Sequence, residues 1–311
     1  MALKGFSDDI IEKMERICDL LSVIHKSKFV AERLSLYGGT ALNLLYLDQP
    51  RLSEDLDFNY RHIDEEDWGK VREKIDDDLK WIINSLGYNK KDIKINSLYN
   101  FCRFHIKYIS RTGIKDDIKI EIGYMRRFPN LKKDCIKSFN HLTKGEKIKI
   151  KTPNKEELFA NKFVTMISRS KTYLNLRDIF DVYSISKQKF DHNLFFELIA
   201  LEAILMDQSF SKISQIKERL VKDKHSGRIK HLIRKEVTEK DIMQAVIKFS
   251  VKTIQELAKY KIDDIIERFY STGELELEQF KFKEKLHPEL SKHPQLLWLR
   301  KKKRYKKEKL K

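Results

Sequence analysis

Residues 38–58 read Gly-Gly-Thr-Ala-Leu-Asn-Leu-Leu-Tyr-Leu-Asp-Gln-Pro-Arg-Leu-Ser-Glu-Asp-Leu-Asp-Phe, and several residue types in that run can do chemistry together. Asp55 and Asp57 stand one residue apart, just before Phe58 and Tyr60. In an extended chain side chains alternate, so both carboxylates leave one face of the strand. Two carboxylates at that spacing can share a hard divalent cation, Mg²⁺ or Mn²⁺, which takes oxygen ligands and keeps positions open for phosphate. Upstream, Gly38 and Gly39 let the backbone approach a phosphate closely. The helix that starts at Thr40 offers unpaired N–H groups and a partial positive charge. Arg51 and Ser53 flank the acid pair, and Ser53 is placed either to hydrogen-bond a phosphate or to cap the turn. Taken singly, Asp-x-Asp is a common solvated strand and Gly-Gly an ordinary turn. In this order they are the layout of a nucleotidyl transfer site.

Two later segments carry further candidates. Ile118-Lys119-Ile120-Glu121-Ile122 alternates, with the isoleucines on one face and Lys119, Glu121 and Gly123 on the other. Glu121 is then either a solvent-facing glutamate beside Lys119 or a third acid. On a helix expected over 155–169, Lys162 lies four residues after Leu158 and four before Met166, inside the apolar stripe. An ammonium there must snorkel outward, pair with an acid or face an anionic ligand, because burying it alone costs several kcal/mol or so. Arg169 is either part of an anion site or solvated. Arg177 and Asp181 are i,i+4 neighbours on the next helix, with Asp178 between them.

The motifs Gly38-Gly39-Thr40-Ala41-Leu42 and Arg51-Leu52-Ser53-Glu54-Asp55-Leu56-Asp57-Phe58 resemble those of the AbiEii/AbiGii-type nucleotidyltransferase toxins. That family is a branch of the DNA polymerase β-like nucleotidyltransferase superfamily. Glu157 to Lys162 and Arg177-Asp178-Ile179-Phe180-Asp181 resemble its lysine helix and its Arg-Asp-x-x-Asp motif, so the likeness covers about residues 30–185. The resemblance implies a metal-dependent enzyme that moves an NMP from an NTP onto a hydroxyl and releases pyrophosphate. It implies Glu121 as the third metal-binding acid, Lys162 as the ligand of the triphosphate, and Asp178 or Asp181 as the group that orients Lys162. It also implies a toxin with a cognate antitoxin and RNA, tRNA above all, as acceptor. Two alternatives stand beside it: a non-catalytic RNA-binding protein on the same scaffold, and a transferase acting on a small molecule or a protein.

The elements that must position these residues follow from periodicity. Ile10, Met14, Ile17, Leu20, Leu21 and Ile24 predict a first helix behind Ser7, and Trp68 to Leu86 predict a long amphipathic one. Cys102 to Tyr108 and Ile118 to Ile122 predict a strand pair, with Ile148, Ile150 and Thr152 as a further edge strand. Beyond Pro153 the pattern is helical: 155–169, 177–186, 192–206, 210–222, 227–235, 239–269 and 288–299. The expected fold is α+β: a nucleotidyltransferase domain over 1–150 with a small mixed sheet flanked by helices, then an all-helical domain over 151–299 and a basic tail over 300–311.

Of 311 residues, 64 are Lys or Arg and 47 Asp or Glu, a net +17, and the excess is uneven. Residues 1–80 hold 12 basic against 18 acidic side chains, whereas 126–151 hold nine against two and 300–311 nine against one. Such an imbalance points to a polyanionic partner. Cys18, Cys102 and Cys135 lie far apart, which excludes a disulfide framework or Cys-x-x-Cys zinc site and fits a reduced, cytoplasmic setting. No apolar run reaches the roughly 18 residues that span a membrane, and the N-terminus has no secretory signal pattern.

Overall fold

A computed structural model describes residues 5–61, 67–169, 173–222, 224–226, 232–233 and 237–309, with backbone alone for 224–226 and 303–309. The chain divides into two compact units. The first takes residues 1–129 and 134–153 together with the described pair Leu232–Ile233; the second takes 130–133, 154–229 and the chain from 236 on.

In the first unit, α1 (Asp8–Lys26) buries the predicted apolar stripe, with Asp8 and Asp9 at its positive end and His25 and Lys26 at its negative end. Then come α2 (Lys28–Arg33), β1 (Leu34–Tyr37), α3 (Gly38–Leu45), β2 (Asp55–Tyr60), α4 (Trp68–Ser85), β3 (Ile93–Leu98), β4 (Phe101–Ile109), β5 (Lys115–Gly123), β6 (Cys135–Asn140) and β7 (Lys147–Thr152). Five strands form one sheet in the order β1-β2-β5-β4-β3, in which β2 and β5 run parallel and every other neighbour is antiparallel. Leu56, Phe58, Ile118, Ile120, Ile122, Phe104 and Ile106 fill one face and are at most 3% exposed. Helices α1 and α4 are tied to that face. Lys13 donates to Asp116 at 2.9 Å, and Tyr124 of the apolar side donates to Asp76 of α4 at 3.2 Å. Burial pushes Asp116 upward, but Lys13, the Asp117 N–H and the Tyr108 hydroxyl outweigh it and hold the carboxyl below its usual range.

The expected edge strand over 148–152 is instead one arm of a separate hairpin, β6–β7, whose partner arm carries little apolar alternation. The hairpin is locked to the sheet where Arg61 Nε meets Asp134 Oδ2 at 3.0 Å, both side chains at most 6% exposed.

The second unit contains α5 (Lys155–Ser168), β8 (Tyr173–Asn175), α6 (Leu176–Ile185), α7 (His192–Leu205), α8 (Phe210–Ser214), α9 (Ile216–Lys222), β9 (Lys224–Ser226), α10 (Glu239–Lys259), α11 (Ile262–Thr272) and α12 (Pro294–Lys309). It is not wholly helical, because β8 and β9 pair in parallel. The helix expected over 210–222 breaks at Gln215, and that over 239–269 breaks at Lys261, which takes φ +55°. The expected helix 227–235 lies mostly outside the described residues; Leu232 and Ile233 form a turn and a bridge to Arg51. Nor does the last helix stop at 299. It runs on through the basic residues to Lys309, where Arg300 Nε donates to the Gly273 carbonyl at 2.7 Å and Lys302 meets Asp207 at 2.9 Å. Phe163, Phe195 and Phe249 pack their rings edge to face or tilted, with centroids 6.1–6.2 Å apart, in the core.

Residues 130–133 belong to this unit through two buried acids. Glu157 Oε2 accepts the N–H groups of Asn130 and Leu131, and Glu202 accepts the side-chain amides of Asn130 at 2.7 Å and Asn161 at 2.8 Å. A buried carboxylate persists when several donors satisfy it.

Candidate active site

Asp55 and Asp57 lie on β2 and Glu121 on β5, all on the face opposite the apolar core. The parallel register sets Asp57 beside Glu121 and Asp55 beside Lys119. Neighbouring strands lie about 4.8 Å apart and alternate residues about 6.6 Å apart, so the three acids leave the sheet at the corners of a small triangle. In this structure each carboxylate leans on a neighbour. Glu121 Oε1 accepts from Arg103 Nε at 2.7 Å, and Asp55 Oδ1 lies 3.9 Å from the Lys119 ammonium, which also reaches Asp117 at 3.7 Å. Among the described residues no three His, Cys, Asp or Glu side chains converge closely enough to hold a metal ion. The expected triad is therefore gathered on one patch of backbone, with Glu121 turned to Arg103, Asp55 to Lys119 and Asp57 to Gly38. Its donor chemistry, three carboxylates on adjacent strands, fits a hard divalent cation.

Gly38 and Gly39 also make room for this chain's own side chains. Gly38 takes φ +69°, a conformation that favours glycine, and a Cβ there would lie 2.0 Å from Asp57 Oδ2 and 3.0 Å from Asp57 Cβ. A Cβ on Gly39 would lie 2.7 Å from Arg51 Nη2 and 3.4 Å from Ser53 Oγ. The room left by the two glycines is filled by this chain's own Asp57 and Arg51. Asp57 consequently packs against the start of α3, whose positive end favours the ionised carboxylate. Thr40 is drawn inward, its hydroxyl donating to the Asp55 carbonyl, which pins α3 to the acid strand. Arg51 and Ser53 are both buried, and Arg51 donates to the Leu52 carbonyl at 3.0 Å.

Gly38→Ala is expected to cost about 1–3 kcal/mol for the left-handed backbone and to displace Asp57, whose Cβ is fixed to the strand. Gly39→Ala meets only the end of a long side chain and is expected to be milder. Thermal melts and transfer rates of the two variants, side by side, check this; equal behaviour would contradict it.

In the second unit, Lys162 of α5 is 4% exposed and pairs with Asp181 Oδ2 at 3.0 Å and Asp178 Oδ1 at 3.8 Å. Of the three options open in the sequence, the structure takes the acid pair. Asp178 and Asp181, one turn apart on α6, are at most 2% exposed. Arg169, its side chain 44% exposed, meets Asp178 Oδ2 with its Nη1 at 3.0 Å. The cluster thus balances two cations against two buried carboxylates.

Arg103, Lys119, His105 and Asp117 were not singled out by sequence reasoning, yet they border the acids. His105 Nε2 lies 2.8 Å from Asp117 Oδ2. Their signal was the polar phase of the β4 and β5 alternation, which marks a face without saying which residues meet across it.

The chain is a nucleotidyltransferase, as the family model that matches most of its length shows. More particularly, it belongs to the nucleotidyl transferase AbiEii toxin family of type IV toxin–antitoxin systems, whose model matches residues 24–268. Among solved structures it is similar to MenT4, a nucleotidyltransferase toxin from Mycobacterium tuberculosis H37Rv, at 14% identity and a TM-score of 0.52, over 93% of this chain and 88% of that one. An antigenic nucleotidyltransferase-like protein from Paracoccidioides brasiliensis matches at 17% identity and a TM-score of 0.38, over 71% and 96% of the two chains. No match was found among curated proteins. The likeness to MenT4 concerns the fold. Among the described residues no helix is long and apolar enough to cross a membrane.

Proposed function

We propose that the protein transfers an NMP from an NTP to a hydroxyl of RNA, tRNA above all, with release of pyrophosphate, and that a cognate antitoxin restrains it. The observation that supports this reading most is the in-register row of Asp57 and Glu121 beside Asp55, seated by Gly38 at the start of α3. Asp55, Asp57 and Glu121 would hold Mg²⁺ or Mn²⁺, which neutralises triphosphate charge and activates the acceptor hydroxyl. The acceptor oxygen bonds to the α-phosphorus as the bond to pyrophosphate breaks. Glu121, on the strand next to the outer half of the sheet, accepts the hydroxyl proton. Arg51 and Ser53, held behind Gly39, keep the loop before the acids in place, and Arg51 lends positive charge to the nucleotide side. Lys162 is assigned to the triphosphate on the strength of the family resemblance, with Asp178 and Asp181 fixing its ammonium. The basic stretch 126–151 and the basic end of α12 favour a polyanionic acceptor over a neutral small molecule.

The test is to incubate the full chain with each α-labelled NTP, Mg²⁺ and total RNA, and to separate the products by size. Label is expected in RNA with one or two of the four nucleotides. Label that enters protein alone, or none with any nucleotide, would end the RNA reading.

A further inference from the structure

The polar face of the sheet changes character from one side to the other. On β2 and β5 it carries Asp55, Asp57, Asp117 and Glu121. On β4 the same face carries Phe101, Arg103, His105 and Lys107, and on β3 it carries Lys94, Asn96 and Leu98, with no acid on either outer strand. Asp117, the acid nearest that half, is already engaged by His105 and Lys119. Successive same-face residues on β4 lie about 7 Å apart, giving cations a regular stride along the strand. At its Phe101 end the row offers flat groups. Arg103 lies 5.2 Å from the Phe101 ring centroid, and the register partner of Phe101 is Gly123, which puts no side chain beside the ring.

At its other end the row enters a cleft of about 840 Å³, where β3 has ended and β4 and β5 continue alone. Arg16, Tyr88, Lys91, His105, Lys107 and Lys115 are among its walls. Arg16 is spoken for, pairing with Glu12 at 2.7 Å and lying over Tyr108 at 4.4 Å. Lys91, Lys107 and Lys115 are exposed and have no acidic partner among the described residues. Of the acids there, Asp116 is taken by Lys13 and Tyr108 and Asp117 by His105 and Lys119, which leaves Asp92 against three lysines.

We propose that this outer half of the face is a track for a single-stranded segment of the acceptor RNA, running from Phe101 along β4 into the cleft, where Lys91, Lys107 and Lys115 meet its phosphodiester backbone. The inference rests on RNA as acceptor and adds where the strand lies. A cationic groove that follows the backbone beside aromatic and guanidinium plates is how sequence-tolerant single-strand sites are built. Near its Phe101 end the track borders Glu121 through the Arg103 pair, so a strand lying on it brings a hydroxyl to the acids. On this reading Arg103 shares its charge between Glu121 and the incoming strand, and acts as a positioning residue.

The test uses the full chain and a short fluorescent single-stranded RNA, titrated by anisotropy over a range of salt. Lys107→Gln with Lys115→Gln is expected to weaken binding roughly tenfold and to lower the salt slope by about 1.4, two phosphates at about 0.7 each. Lys107→Glu with Lys115→Glu is expected to weaken it further. Lys240→Glu with Lys248→Glu, two exposed lysines of α10 that take no part in the proposed track, supplies an equal charge change and is expected to leave affinity and slope as they were. Unchanged RNA affinity in both track pairs, with unaltered melting curves, would overturn the track and leave those lysines to an acidic protein. If the wild-type chain labels no RNA yet loses the oligonucleotide in the track pairs, the acceptor reading falls and the RNA surface stands. If RNA is labelled at an unchanged rate below saturation in both pairs, the acceptor reading stands and the track falls.

Discussion

Asp57→Asn should lower nucleotidyl transfer by about a hundred- to a thousandfold or more while leaving the melting temperature nearly where it was. The expected size follows from removing a fixed charge aimed at the reacting phosphate in a partly enclosed site. Asparagine keeps the shape that packs against Gly38, so the α3 start and the β1–β2 pairing have no reason to shift. Asp57→Ala should do the same to activity but opens a small gap at Gly38. Glu121→Gln is the companion, because it keeps an acceptor for Arg103 and removes the proton acceptor. Transfer to RNA under saturating NTP, with circular dichroism melts on the same samples, decides the matter. Wild-type rates from Asp57→Asn would remove the acid row from the mechanism.

Lys162→Ala should be the most damaging single change to stability in the helical unit. It strips Asp181, 0% exposed, of an ammonium at 3.0 Å, and takes one of the two cations that face Asp178. Breaking a buried pair on one side costs about 3–5 kcal/mol, because a buried charge loses a close partner in a poor solvent. In a protein of this size that corresponds to a melting temperature lower by roughly 5–8 °C. Arg169 still reaches Asp178 at 3.0 Å, so the larger share of the loss belongs to Asp181. Lys162→Ala combined with Asp181→Ala should recover part of it. Denaturant unfolding of the three proteins reads this directly. A Lys162→Ala protein as stable as wild type would mean that the ammonium serves a bound nucleotide only.

Much of the fold was legible because its signals are local. The apolar spacing of α1, α4, α5 and α7 sets their limits to within a few residues, and the alternation of β4 and β5 sorts their faces correctly. What failed was decided at a distance. Ile93-Lys94-Ile95-Asn96-Ser97-Leu98 is a strand because β4 offers it a partner, since its own pattern is mostly exposed. The Ile148 arm looked like an edge of the main sheet because nothing local tells a hairpin from a sheet edge. A single left-handed residue, Lys261, divides a helix whose periodicity runs on unbroken. The site shows the same divide. Gly38, Asp55 and Asp57 are close in sequence and stood out there, and the family motif on α6 already set Asp178 or Asp181 against Lys162; Arg103 on Glu121 depends on β4–β5 register, which no local pattern carries.

Leu52, between Arg51 and Ser53, donates its N–H to the carbonyl of Leu232 at 2.9 Å, and Asn130 hangs on Glu157 and Glu202. A gene cut after codon 153 would therefore lose the strut beneath the arginine loop, while its downstream product would lack the asparagine that two interior glutamates clasp. Neither half is a self-sufficient cassette. Each piece is expected to be less stable made alone than within the whole chain.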